Sequence, residues 1–194
     1  MRLGLFGGRF DPPHLGHLLA AEQAREALAL DAVWFIPAPS PPHKPAVASP
    51  EQRYAMTMLA TASHPSFAVS RLELDRPGPS YTFDTVQQVR AAEPGAELFL
   101  LTGADAYRDI ASWHRAAELV RQVNIIVVAR PGYNLEQLEP DFQARAGVVT
   151  IIGCDIASTE IRNRLKEGRS IRYLVPESVE SYLVRHHLYR QQPV

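Results

Sequence analysis

Arg2-Leu3-Gly4-Leu5-Phe6-Gly7-Gly8 is a short apolar run that ends in two glycines, and it reads as a buried strand breaking into a turn. Over residues 17–30 the pattern becomes helical, with Leu18, Ala21, Ala24 and Leu28 on one side. Ala32-Val33-Trp34-Phe35-Ile36 is a second apolar run, stopped by Pro37. Strand, glycine turn, helix and strand in one short stretch make a βαβ unit, and two buried apolar strands imply a parallel sheet.

The same alternation continues outward. Apolar runs at 97–101, 124–129 and 148–152 read as strands, and the alternating stretch 67–74 fits another. Helical spacing covers 81–92, 104–120, 158–166 and 176–186. Ser49-Pro50-Glu51-Gln52 is a capping box with proline at the first helical position, opening a helix to about residue 62. Five prolines within 37–45 exclude a helix or central strand and mark a surface loop. There is no internal repeat. The expected fold is α/β: one Rossmann-like domain over 1–194, a doubly wound parallel sheet with helices on both faces.

Composition narrows the function. With 194 residues, 46% hydrophobic and 21% charged, the chain is an ordinary globular one. Twenty Lys and Arg against 21 Asp and Glu leave a net charge of −1, so no general cationic field awaits nucleic acid or anionic lipid. Phosphate chemistry would have to sit in a local pocket. Cys154 is the only cysteine, which excludes an intramolecular disulfide framework and fits a reducing, cytoplasmic setting. It reads as a small packing residue. No apolar stretch approaches the roughly 18 residues of a membrane span.

In doubly wound folds ligands bind beyond the carboxyl ends of the strands. Gly7-Gly8-Arg9-Phe10-Asp11-Pro12-Pro13-His14-Leu15-Gly16-His17 lies at such an end and opens a helix. Glycines let backbone approach a bulky anion, and a helix start offers free N–H groups. His14 and His17 are three apart and share a face. Gly16 keeps that face uncrowded, and imidazole N–H groups donate to phosphate oxygens. A tight turn and a solvated histidine pair remain the plainer readings. G-x-G-x-x-G is absent, which disfavours a dinucleotide oxidoreductase, and no P-loop motif is present. H-x-x-H without a third ligand is a weak metal signal, so no protein metal site is expected.

The stretch Gly8-x-Phe10-Asp11-Pro12-x-His14-x-Gly16-His17 resembles the H-x-G-H signature of the nucleotidylyltransferase superfamily, and Ser158-Thr159-Glu160-Ile161-Arg162 resembles its S-T-x-I-R motif. Within it, the chain resembles the bacterial nicotinate-nucleotide adenylyltransferases. Pro41-Pro42-His43-Lys44, Ser80-Tyr81-Thr82-x-x-Thr85, Gly103-x-Asp105, Trp113-His114 and Arg130-Pro131-Gly132 follow in the family's order. So does the ending from Leu174 to Tyr189. Two positions depart. Arg9 stands where a small polar residue is usual, and Ala157 where a serine is common.

That resemblance implies adenylyl transfer from ATP to nicotinate mononucleotide, giving deamido-NAD and pyrophosphate in NAD biosynthesis. It implies catalytic roles for His14, His17, Lys44 and Arg162, with His17 foremost. ATP would be held by Gly7, Gly8, Phe10, His14, His17, Gly103, Asp105, Ser158, Thr159 and Arg162. Nicotinate mononucleotide would meet His43, Lys44, Thr82, Thr85, Trp113, His114 and Arg130. On the residues alone, Asp105 reads equally as a helix cap, Arg162 as a solvated arginine and Trp113 as a core residue. His64, His186 and His187 have no evident partner and read as surface residues. Magnesium would travel with the ATP oxygens and water. A sister nucleotidylyltransferase acting on pantetheine phosphate or another phosphate acceptor, a histidine-metal hydrolase built on His14, His17 and His43, and a nucleotide sensor are the alternatives. The oligomeric state, a homo-oligomer included, stays open.

Overall fold

Six parallel strands form one sheet in the order β3-β2-β1-β4-β5-β6, in a computed structural model that describes residues 1–39, 47–129, 146–153 and 155–190. The strands are β1 (Arg2–Gly8), β2 (Ala32–Pro37), β3 (Phe67–Val69), β4 (Glu97–Gly103), β5 (Asn124–Ala129) and β6 (Ala146–Thr150). The chain winds outward from β1 to β3 and then returns to lay β4 beside β1. That reversal opens a crevice at the carboxyl ends of β1 and β4, where doubly wound folds bind ligands.

Strand alternation divides the core. Leu3, Leu5, Leu98, Leu100, Ile125 and Val127 face one side and meet α3 (Thr82–Ala92), α4 (Ala104–Arg108) and α5 (Ala116–Gln122). Phe6, Val33, Phe35, Phe99, Leu101 and Ile126 face the other, under α1 (Leu15–Ala27) and its buried Ala20, Ala21 and Ala24. A third apolar cluster joins α2 (Pro50–Thr61), α6 (Ser158–Lys166) and α7 (Glu177–Arg185) through Met56, Ile161, Val179 and Leu183. Each such side chain, once buried, contributes about 1.5–3 kcal/mol. The expected doubly wound architecture is what forms.

Three local expectations fail. The stretch 67–74 is a strand only to Val69; the chain then turns, with the Asp75 N–H bonded to the Arg71 carbonyl, and carries Glu73 inward. The stretch 104–120 is not one helix. It breaks into α4, a 3-10 turn at Ile110–Ser112 and α5, because Trp113 is extended and Arg115 left-handed at φ 53°. Arg115 holds that kink by laying its guanidinium over the Phe83 ring at 3.9 Å and pairing with Glu118. The last strand begins at Ala146 and ends at Thr150, leaving Ile152 exposed. Among the described residues no helix is long and apolar enough to cross a membrane.

Candidate active site

β1 delivers Gly7 and Gly8 to the crevice, and the chain turns through Phe10 at φ 49° before entering α1. Left-handed backbone costs an ordinary residue about 1–2 kcal/mol. Burial of the Phe10 ring against Phe6, Phe35 and His17, with centroids 5.8, 5.7 and 5.1 Å away, offsets that cost. The ring also dictates the glycine at position 8: a Cβ there would lie 2.9 Å from Phe10 Cζ.

His14 caps α1 and His17 sits one turn in. Their rings stack with centroids 3.6 Å apart, and the His14 N–H donates to His17 Nδ1 at 3.2 Å. Neutral His17 therefore carries its proton on Nε2, as a donor. His14 Nδ1 is buried with no hydrogen-bond partner. An unmade bond of that kind costs about 1–3 kcal/mol, which a ligand oxygen or water can relieve. Burial pulls His14 down to about 4. His17 lies well below its ordinary value, through burial first and the neighbouring His14 second. Both are neutral at pH 7.

The second motif clasps this loop. Ser158 Oγ donates to the Pro12 carbonyl at 2.9 Å, and Arg162 donates to the Asp11 carbonyl at 2.7 Å and to Thr159 Oγ1 at 3.1 Å. Ala157, at the cap of α6, offers no side-chain oxygen to the first turn. The departure from serine thus leaves those N–H groups without a side-chain acceptor from the cap. Arg53 clasps the loop from the other side. It is fully buried in α2, donating to the Arg9 carbonyl at 2.7 Å and to the Pro39 carbonyl. Burial pulls this guanidinium down, partly offset by Asp11.

Beside the loop lies a cavity of about 350 Å³, a size suited to a small ligand. Gly7, Gly8, Thr82, Thr85, Trp113 and Glu73 are among its walls. Gly7 presents an open face, since a Cβ there would meet nothing within 4 Å. Trp113, in the kink itself, gives the cavity an aromatic wall fit to stack on a flat ring. The Thr85 hydroxyl is already engaged: it donates to Glu73 at 2.8 Å and accepts from Arg76 at 3.2 Å. The Thr85 N–H is also taken, by the Tyr81 carbonyl. Donors left on that wall include the Thr82 hydroxyl and the first-turn N–H groups of α3, which Tyr81 caps without a side-chain bond. Glu73 is pushed up by burial, against the Thr85 and Ser80 bonds that pull it down.

A cytidylyltransferase-like family model matches residues 5–164. A probable nicotinate-nucleotide adenylyltransferase of Thermus thermophilus is 56% identical over 194 residues, covering 98% of this chain and all of the relative. Another, from Leifsonia xyli, is 43% identical and covers 97% of this chain and 94% of its own length. The chain belongs to the nicotinate-nucleotide adenylyltransferase family. The fold agrees with that of the family in solved structures. Plasmodium falciparum nicotinic acid mononucleotide adenylyltransferase complexed with NaAD superposes with a TM-score of 0.80 at 17% identity, covering 97% of each chain. Its complex with APC gives 0.78 at 16%, covering 97% of this chain and 96% of that one.

Of the positions carried over from the adenylyltransferase pattern, the structure brings Gly7, Gly8, Phe10, His14, His17, Ser158, Thr159 and Arg162 around one loop. Thr82, Thr85 and Trp113 share the adjoining cavity. His114 stacks on Tyr81 at 4.3 Å, outside the cavity lining. Gly103, not Asp105, caps α4, so the helix-cap reading of Asp105 falls; its carboxylate is exposed, 3.5 Å from Arg108. His43, Lys44, Arg130 and Cys154 lie outside the described residues. His64 does have partners, stacking on Phe67 and pairing with Glu22. Arg53, Glu73 and Arg76 were not singled out by sequence, and nothing in their local spacing marks them. Among the described residues no cluster of three His, Cys, Asp or Glu could hold a metal ion.

Proposed function

We propose that this chain transfers the adenylyl group of ATP to nicotinate mononucleotide, forming deamido-NAD and releasing pyrophosphate. The observation that carries the reading is the stacked, neutral His14–His17 pair at a helix start, sharing the sheet crevice with an aromatic-walled cavity. A phosphate oxygen of the mononucleotide attacks the α-phosphorus of ATP, and the bond from that phosphorus to the bridging oxygen breaks. The leaving pyrophosphate keeps the electron pair. The attacking oxygen is already anionic, so no side-chain base or covalent intermediate is required.

The protein then has to position and to stabilise charge. His17 Nε2, the Gly16 N–H in the first turn of α1 and the first-turn N–H groups of α6 supply donors to phosphate oxygens. Arg162 and Ser158 hold the loop in register from below. Trp113 stacks on the pyridine ring, and the first turn of α3 faces its carboxylate. Lys44 and His43 from the proline loop, with Arg130, complete the substrate contacts by family resemblance, as Gly103 and Asp105 do for ATP. Magnesium, bound to the ATP oxygens and water, screens the phosphate charge. Release of pyrophosphate and appearance of deamido-NAD from ATP and nicotinate mononucleotide test the reading. Turnover with pantetheine phosphate in place of nicotinate mononucleotide would replace it.

A further inference from the structure

Asp11 is 2% exposed, yet its carboxylate is fully engaged. Oδ1 accepts from the Tyr189 hydroxyl at 2.6 Å and from the Ala48 N–H at 3.1 Å, and Oδ2 accepts from the Val47 N–H at 2.9 Å. The same residue's carbonyl accepts from Arg162. Tyr189 is itself buried and lies 178 residues away in sequence. Burial and the bond to Asp11 push its hydroxyl well above the ordinary tyrosine range, so it stays a donor. Three segments thus meet on one carboxylate: the histidine loop, the chain returning at 47–48 to α2, and the stretch after α7. A further tie runs from the Leu15 N–H to the Leu174 carbonyl at 3.0 Å.

We propose that Tyr189 is a positioning residue for adenylyl transfer, acting through Asp11 to hold the His14–His17 loop in its reactive register. Asp11 stands three residues before His14, at the left-handed bend through Phe10. Without its phenolic donor the carboxylate is held by the Val47 and Ala48 N–H groups and can tilt toward them, and the loop tilts with it. In-line transfer is sensitive to such shifts, since misplacement by about 1 Å can cost about 10²-fold in rate. The pyridine cavity is lined by none of these residues. Gly7, Gly8 and Arg9 of the same loop do line it, but they precede the bend at Phe10, whereas the Asp11–Tyr189 tie lies after that bend, beside His14, so a fault in the tie falls first on the phosphate end of the reaction.

The inference rests on the adenylyl-transfer reading, and wild-type pyrophosphate release tests that reading separately. Tyr189→Phe keeps the ring and removes only the donor. At a temperature where the variant is folded by circular dichroism, kcat is expected to fall about tenfold, with the KM for nicotinate mononucleotide unchanged. A merely structural tyrosine would lower the melting temperature and leave kcat at the wild-type value, and that result overturns the proposal. Asp11→Asn supplies the second arm. If the two residues act as one unit, adding Tyr189→Phe to Asp11→Asn costs no further activity, whereas independent, multiplying losses overturn the coupling. Should Asp11→Asn fail to fold, the kcat against KM split of Tyr189→Phe decides alone.

Discussion

The His14 backbone N–H donates to Nδ1 of His17 while the two rings stack 3.6 Å apart, so one histidine sets which nitrogen of the other carries the proton. His17→Ala removes that donor. The variant is expected to fold and to turn over about 10²-fold more slowly or worse, the usual scale for losing one donor to developing charge. Single-turnover rates of the purified variant check it; near-normal turnover would remove His17 from the mechanism.

Acid should destabilise the protein through His14. Unfolded, a histidine protonates near 6.5, whereas buried His14 resists to about 4. Between those values the unfolded chain binds the extra proton, so the contribution of neutral His14 is whole above pH 6.5 and shrinks as pH falls toward 4. At 1.36 kcal/mol per unit the full loss is about 3 kcal/mol. Urea unfolding at pH 7 and at pH 4.5 should show a smaller stability difference for His14→Gln than for wild type. Parallel losses in both proteins would refute this.

Gly16→Ala ought to separate stability from activity. Alanine normally favours a helix over glycine by about 1 kcal/mol. Here its Cβ would sit 3.0 Å from His14 Nδ1 and 3.1 Å from Cε1, so the ring must give by a few tenths of an ångström and the stack with His17 shifts with it. We expect a melting temperature close to wild type and kcat lower by about tenfold. Unchanged kcat would mean that the stacked arrangement is not needed.

Activity should require added magnesium, and the purified protein should carry no stoichiometric tightly bound ion. The described residues offer no three-ligand cage, and magnesium favours phosphate oxygens and water over all-protein sites. Elemental analysis tests one half and chelator titration the other. Full turnover in excess chelator is the contrary result.

Nicotinate mononucleotide should be preferred to its amide. The free N–H groups at the start of α3 suit a carboxylate, which only accepts, while an amide turns two hydrogens of its own toward them. Buried mismatches of this kind discriminate by about 10²-fold or more. The comparison is kcat/KM for the two mononucleotides under one condition. Equal values would sink acid selection and leave adenylyl transfer standing.

The first βαβ unit, the Ser49 capping box and the H-x-G-H face were legible because their signals are local: period, cap chemistry and a spacing of three. Ser49 and Gln52 exchange the two bonds that the box implies. Residues 104–120 misled because helical spacing survives a kink, which shows only in the backbone of extended Trp113 and left-handed Arg115. Arg53 and Tyr189 were beyond reach for another reason. One bonds main-chain carbonyls and the other a carboxylate far along the chain, and neither partner leaves a periodic trace. Glu73 was hidden in a stretch that alternates like a strand but turns after Arg71.

Arg53, Arg162 and Ser158 grip the histidine loop by the carbonyl oxygens of residues 9, 11 and 12. A peptide carbonyl is the same atom whichever side chain follows it. The side chain at position 9 is therefore no part of that handle: a small polar residue in place of Arg9 would leave the carbonyl that Arg53 holds untouched. The loop can keep its shape while its outer side chains change, which gives evolution room to alter what surrounds the nucleotide without rebuilding what carries it.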